Sequence, residues 1–158
     1  MTQDLSLGLK DAMRRLASAV AVVSAKSRDG GAIGMAATSV TSLSMDPPSV
    51  LVCVNRSAGI HASLFIGSKF NINQLGVQHR EVANAFGGKM PRELRFGVGD
   101  WLENESGIPA LVDAQAVLSC VVDRIVTYGT HSIVIGAVCH VTVGGDVQPL
   151  IYQDGKYL

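Results

Sequence analysis

Gly34-Met35-Ala36-Ala37-Thr38-Ser39-Val40-Thr41-Ser42-Leu43-Ser44-Met45-Asp46-Pro47-Pro48 begins small and apolar, turns hydroxyl-rich and stops at two prolines. On an extended backbone, Thr38, Ser42 and Ser44 would share one face and Ser39, Thr41 and Leu43 the other. The small residues 34–37 would let a flat ligand come close to the main chain. Hydroxyls and backbone N–H groups would then bind an anion without any lysine. The same residues also read as a polar edge strand running into a Pro-Pro turn, and this stretch alone does not separate the two.

The flanking residues supply its context. Upstream, Asp4 caps a helix whose Leu5, Leu9, Met13 and Leu16 form one apolar stripe. Residues 19–25 read as a buried strand, and Arg28-Asp29-Gly30-Gly31 as a hairpin turn, so the strand returning from Ala32 leads into the quoted stretch. Downstream, residues 49–55 form an apolar strand, 61–66 a short helix, and 69–75 a strand in which Phe70, Ile72 and Gln74 alternate with Asn71, Asn73 and Leu75. A second helix spans 79–86. Residues 87–107 are irregular around Trp101, and a loop of that length in a compact domain is usually functional or mobile. The last third is β: 114–126 and 130–143 pair across Tyr128-Gly129, and Pro149-Leu150-Ile151-Tyr152 closes the chain. Six or seven strands with few helices predict a closed or nearly closed antiparallel barrel with peripheral helices; a doubly wound sheet would need more helices, differently spaced.

Composition narrows the class. The 158 residues are 47% hydrophobic and 16% charged, with zero net charge, which predicts one globular domain with part of its surface in a subunit interface. No basic cluster suits a nucleic-acid duplex. No apolar run reaches membrane-spanning length, and the first ten residues lack a leader pattern. Cys53, Cys120 and Cys139 lie in apolar runs without C-x-x-C spacing and read as buried thiols of a reducing, cytoplasmic compartment.

Chemistry is narrowed by elimination. The chain has no G-x-S-x-G elbow, P-loop, H-E-x-x-H or dinucleotide G-x-G-x-x-G. His61, His79, His131 and His140 show no metal-ligand spacing, and no metal is expected. Neutral polar groups at strand ends remain: 38–42, Asn55-Arg56-Ser57, Asn71 with Asn73, and Gly129-Thr130-His131. That set suits a planar amphipathic cofactor with a phosphate tail. Each piece also has a plainer reading, as solvent-facing strand residues or turns.

Taken in order with Leu51-Val52-Cys53-Val54-Asn55-Arg56-Ser57, Phe70-Asn71-Ile72-Asn73, Gly107-Ile108-Pro109-Ala110-Leu111, Gly129-Thr130-His131 and Pro149-Leu150-Ile151-Tyr152, the quoted stretch resembles the short-chain flavin reductase family. These are the reductase components of two-component flavin-dependent monooxygenases, and the resemblance runs from the first helix to Tyr157. It implies a mainly β fold with peripheral helices, an antiparallel split β-barrel of the FMN-binding type, with residues 1–158 as one domain. It also implies a homodimer with flavin near the interface, FMN or FAD as flavin, NADH or NADPH as hydride donor, and a monooxygenase reached through diffusible reduced flavin. Carried over by motif, Thr38, Ser39, Val40 and Thr41 meet the flavin ring, and Ser42 turns toward the ribityl chain or phosphate. Asn55, Arg56 and Ser57 complete the phosphate end, Phe70, Asn71 and Asn73 line the flavin, and His131 meets the nicotinamide dinucleotide. No acid–base residue is assigned. The chain departs from the family pattern at Ala36 and Thr38, where Thr then Asn is common, and at Ala58 and Ile60-His61, where a second Ser and a Thr-His pair are common. Two other readings are a flavin carrier without turnover and a reductase of another acceptor with permanently held flavin.

Overall fold

The computed structural model describes residues 4–158; Met1, Thr2 and Gln3, at the head of the stretch read for a leader, lie outside the described residues. In chain order come α1 (Leu5–Met13), β1 (Ser18–Ala19), β2 (Ala21–Lys26), β3 (Ala32–Ala37), β4 (Thr41–Met45), β5 (Pro48–Asn55) and β6 (Lys69–Gln74). Then follow α2 (Arg80–Asn84), β7 (Trp101–Glu103), β8 (Pro109–Leu111), β9 (Ala116–Tyr128), β10 (His131–Val143), β11 (Ile151–Gln153) and β12 (Lys156–Tyr157). Asp4 Oδ1 accepts the N–H groups of Ser6 and Leu7 at 3.0 and 3.3 Å, so the expected cap starts α1. The expected Asp29 turn joins β2 to β3, with Asp29 Oδ1 accepting Gly31 N–H at 2.9 Å.

One antiparallel sheet of seven strands runs β3-β2-β6-β9-β10-β5-β4. Its two outermost strands, β3 and β4, are consecutive in sequence. Only Thr38, Ser39 and Val40 lie between them, so Ala37 and Thr41 stand no more than ~14 Å apart. A flat sheet of this many strands would separate its edges by ~29 Å. The sheet therefore curls until its edges approach, but among the described residues no backbone ladder joins β3 to β4. This corrects the extended backbone assumed for the whole of 38–44, while Thr41–Met45 is the expected polar edge strand running into the turn at Asp46-Pro47. The chain leaves one edge at Ala37 and enters the other at Thr41, and a register shift between Ser42 and Ser44 breaks the alternation again.

β2 is buried on both faces, which explains its nearly unbroken apolar sequence. Ala21, Val23 and Ala25 join Val52, Val54, Phe70, Ile72, Val122 and Val134 inside the curl. Gly136 of β10 makes room there: a Cβ on it would lie 2.6 Å from Phe70 Cζ. Val20 and Val22 face outward into a second cluster with Leu75, Val82, Phe86, Leu111 and Leu150. The irregular 87–107 segment is tied into this outer cluster by Phe96 and Trp101, whose ring centroids lie 4.9 and 5.3 Å from that of Phe86. The C-terminal β11–β12 hairpin pairs with β1 and is fastened to the end of α1 by Arg14 Nε donating to Asp154 Oδ1 at 2.9 Å.

Candidate functional site

β5 is the spine of the predicted site. Thr41 and Ser42 of β4 stand opposite its Leu51 and Val50. Ser39, in the link between the sheet's edges, donates its hydroxyl to the Cys53 carbonyl at 3.0 Å and accepts the Cys53 N–H at 3.2 Å. Val40 packs its side chain against the inner core. Thr38 is exposed at the mouth of a cleft of about 380 Å³ that also takes in Lys10, Met13 and Tyr152.

Two residues beyond Cys53, ~7 Å along the strand, β5 ends in a polar turn. Asn55 Oδ1 accepts both the N–H and the hydroxyl of Ser57, at 2.9 and 2.8 Å. His131 lies directly opposite Asn55 in the β10 ladder. Arg56 N–H donates to the Thr130 carbonyl at 2.9 Å, and its Nη1 to the Gly129 carbonyl at 3.3 Å. The 129–131 turn and the 55–57 turn, 72 or more residues apart in sequence, are thus one surface. His131 Nδ1 is 2.8 Å from Thr130 Oγ1. His61 also belongs here, with Nε2 2.9 Å from Ser132 Oγ. The sequence marks Thr130 within its motif and His61 as a departure from the family pattern, but only the β5–β10 pairing joins them to Asn55, Arg56 and Ser57.

β6 goes elsewhere. Between it and β5 lie β9 and β10, a step of ~14 Å. Phe70 is sealed in the inner core. Asn73 Nδ2 donates to the Val22 carbonyl and to Ser24 Oγ, both at 2.9 Å, while its Oδ1 accepts Leu111 N–H at 2.9 Å. Asn71 Nδ2 donates to the Pro109 carbonyl at 3.0 Å. Both amides are buried and engaged in fastening β8 across the outer face of the sheet, whereas the resemblance sets them along the flavin. Gly34 has a partner of its own. Its Cβ would fall 2.8 Å from Phe86 Cε1, so its smallness admits a ring of the protein itself.

The edge formed by 38–42 and 55–57 with His131 offers hydroxyls and backbone groups at one end and a guanidinium at the other. A flat heterocycle with amide-like edges fits the first and a phosphate the second, since a guanidinium matches phosphate oxygens. Among the described residues, no three His, Cys, Asp or Glu side chains gather as a metal site, and no helix is long and apolar enough to cross a membrane.

The fold is thus a curled antiparallel β domain with a neutral, hydroxyl-bearing edge that leads to one cation. Residues 13–158 match the flavin reductase like domain, and the chain belongs to that family. It is 38% identical over 94% of its length, and 73% of the relative's, to the FMN reductase (NADH) RutF of Methylorubrum populi. It is 36% identical, over 92% of its length and 82% of the relative's, to the reductase component of FADH(2)-dependent resorcinol hydroxylase from a Rhizobium species. The structure of the NADH:FAD oxidoreductase SgcE6 of Streptomyces globisporus, in complex with NAD and FAD fragments, superposes with a TM-score of 0.87 at 27% identity, covering 97% of this chain and 91% of that one. The protein is a flavin reductase, an oxidoreductase that works with flavin and a reduced nicotinamide.

Proposed function

We propose that this flavin reductase takes a hydride from NADH or NADPH to FMN or FAD along the β4–β5 edge and releases reduced flavin to a separate monooxygenase in the cytoplasm. The observation that carries the site assignment is the junction of the Asn55-Arg56-Ser57 turn with the Gly129-Thr130-His131 turn, which puts a cation and a histidine at the end of β5, the strand that pairs with the hydroxyl-bearing β4. The bound flavin supplies the hydride-accepting ring; the protein supplies position. Ser39, Val40 and Thr41 hold the ring edge, Ser42 the chain beyond it, and Arg56 with Ser57 the phosphate. His131, exposed beside Asn55, orients the nicotinamide dinucleotide. No side chain in this set needs to give or take a proton for hydride transfer.

The curled sheet supports a split barrel of the FMN-binding type, open at the β3–β4 seam. A homodimer is supported by α1, where Leu5, Leu7, Leu9 and Met13 are exposed and no residue is buried, and by the half-buried Leu51, Cys53, Ile133 and Ile135 on the sheet beside the site. The test is oxidation of NADH and NADPH by purified protein with riboflavin, FMN or FAD added, alongside light scattering for mass. The expected result is flavin-dependent oxidation by a dimer, with reduced flavin passing through a dialysis membrane to a monooxygenase. Stoichiometric flavin that survives gel filtration, with no stimulation by free flavin, would overturn the diffusible-flavin reading.

A further inference from the structure

The segment 89–100 brings one further cation against residue 59, next to the candidate site. Arg92 opens the short helical turn Arg92–Gly97. A Cβ on Gly59 would lie 2.9 Å from its Nη1 and 3.1 Å from its Cζ, so the guanidinium rests against the bare backbone of Gly59. Arg95, one turn on, is committed to the fold: its Nε donates to the Met90 carbonyl at 3.1 Å and its Nη1 to the Gly34 carbonyl at 3.2 Å. Arg92 enters none of the ion pairs among the described residues. Asp29 is the acid facing it, and that carboxylate already accepts the Ser27 hydroxyl and the Gly31 N–H. These two donors hold it below the usual carboxylate range, with a smaller contribution from Arg92. Gly59 follows Arg56 by three residues, so the two main-chain points are within ~11 Å. One guanidinium thus lies on the Gly129 carbonyl and the other against Gly59, carried by or touching main-chain points three residues apart.

We infer that Arg92 forms, with Arg56, a two-cation pole for the phosphate tail of the flavin, a role that rests on the flavin reading of the β5 edge. One cation per end of the turn suits a tail with more than one phosphate oxygen cluster, and planar guanidinium forks hold such oxygens in pairs. The chemistry is shared by the single phosphate of FMN and the pyrophosphate of FAD. The test is equilibrium titration of riboflavin, FMN and FAD into wild type, Arg92→Gln and Arg92→Lys, read by quenching of flavin fluorescence. Arg92→Gln should weaken the phosphorylated flavins roughly three- to tenfold and leave riboflavin unchanged, with the difference shrinking as salt is raised. Arg92→Lys should recover part of the loss. A larger loss for FAD assigns Arg92 to the second phosphate, and an equal loss assigns it to the phosphate the two flavins share. Unchanged FMN and FAD affinity in Arg92→Gln, or an equal loss for riboflavin, would overturn the inference. If wild type binds none of the three flavins, it is the flavin reading itself that fails.

Discussion

Ser39 and Cys53 are joined twice through one hydroxyl, which donates to the Cys53 carbonyl and accepts the Cys53 N–H. The pairing of Thr41 with Leu51 and of Ser42 with Val50 extrapolates to Ser39 opposite Cys53. At that point the main chain has already turned away toward β3, and the side chain continues the ladder in its place. Replacing Ser39 with alanine leaves two half-buried backbone groups of β5 without partners. The expected cost is about 1–2 kcal/mol in urea unfolding, together with weaker flavin binding as the link 38–40 loosens. Ser39→Thr, which keeps the hydroxyl, should retain most of both.

Asn73 should behave in the opposite way. Its amide holds three partners from β2 and β8 in a fully buried setting. Asn73→Ala strands the Val22 carbonyl, the Ser24 hydroxyl and the Leu111 N–H together. A loss of roughly 2–4 kcal/mol is expected, with the flavin dissociation constant of the folded fraction unchanged. A flavin-binding defect without a stability defect would return Asn73 to the site.

These two residues mark what was legible in the sequence. The strands, the Asp29 turn, the β9–β10 hairpin and the Asp4 cap all follow from local patterns, because periodicity and turn chemistry are local. Residues 38–42 and 55–57 read as candidates for ligand contact because runs of hydroxyl and amide groups at strand ends suggest one, and the proposed site keeps them. Asn71 and Asn73 looked similar. What distinguishes them is β8, which lies 36 or more residues away and covers a face that the alternation alone presents as open. Gly34 failed for the same reason, since Phe86 fills the space that its missing side chain leaves. His61 and Arg92 gain their meaning only from contacts with Ser132 and Gly59, and no spacing in the chain encodes either.

His131 is exposed, and its ring touches Thr130 in the turn it opens. Little of the fold depends on it. His131→Ala should leave the thermal midpoint within a degree or two, as expected for a surface substitution. The Michaelis constant for the nicotinamide should rise several-fold, and flavin affinity should change little. A drop in flavin affinity equal to the rise for the nicotinamide would reassign His131 to the flavin's phosphate end.

The three thiols should separate by reactivity. Cys139 is exposed at the register shift between Val138 and His140, Cys53 is half-buried on β5, and Cys120 is buried in the inner core. Burial, and to a lesser degree the neighbouring Cys139, pushes the Cys120 thiol up to about 12 from 9.0. At about pH 8 a disulfide reagent should modify Cys139 first and Cys53 more slowly, with Cys120 silent until the protein unfolds, since only the thiolate attacks. The raised value also has a consequence for stability. In the unfolded chain Cys120 ionises near its ordinary value, while in the folded chain it keeps its proton. Its contribution is therefore complete below about pH 9 and is lost as pH rises toward 12. Cys120→Ala, although less stable at neutral pH through the smaller side chain, should lose less of its remaining stability between about pH 8 and 10 than wild type does. Equal losses in the two proteins, measured by urea unfolding at both pH values, would show that Cys120 is not held protonated by the core.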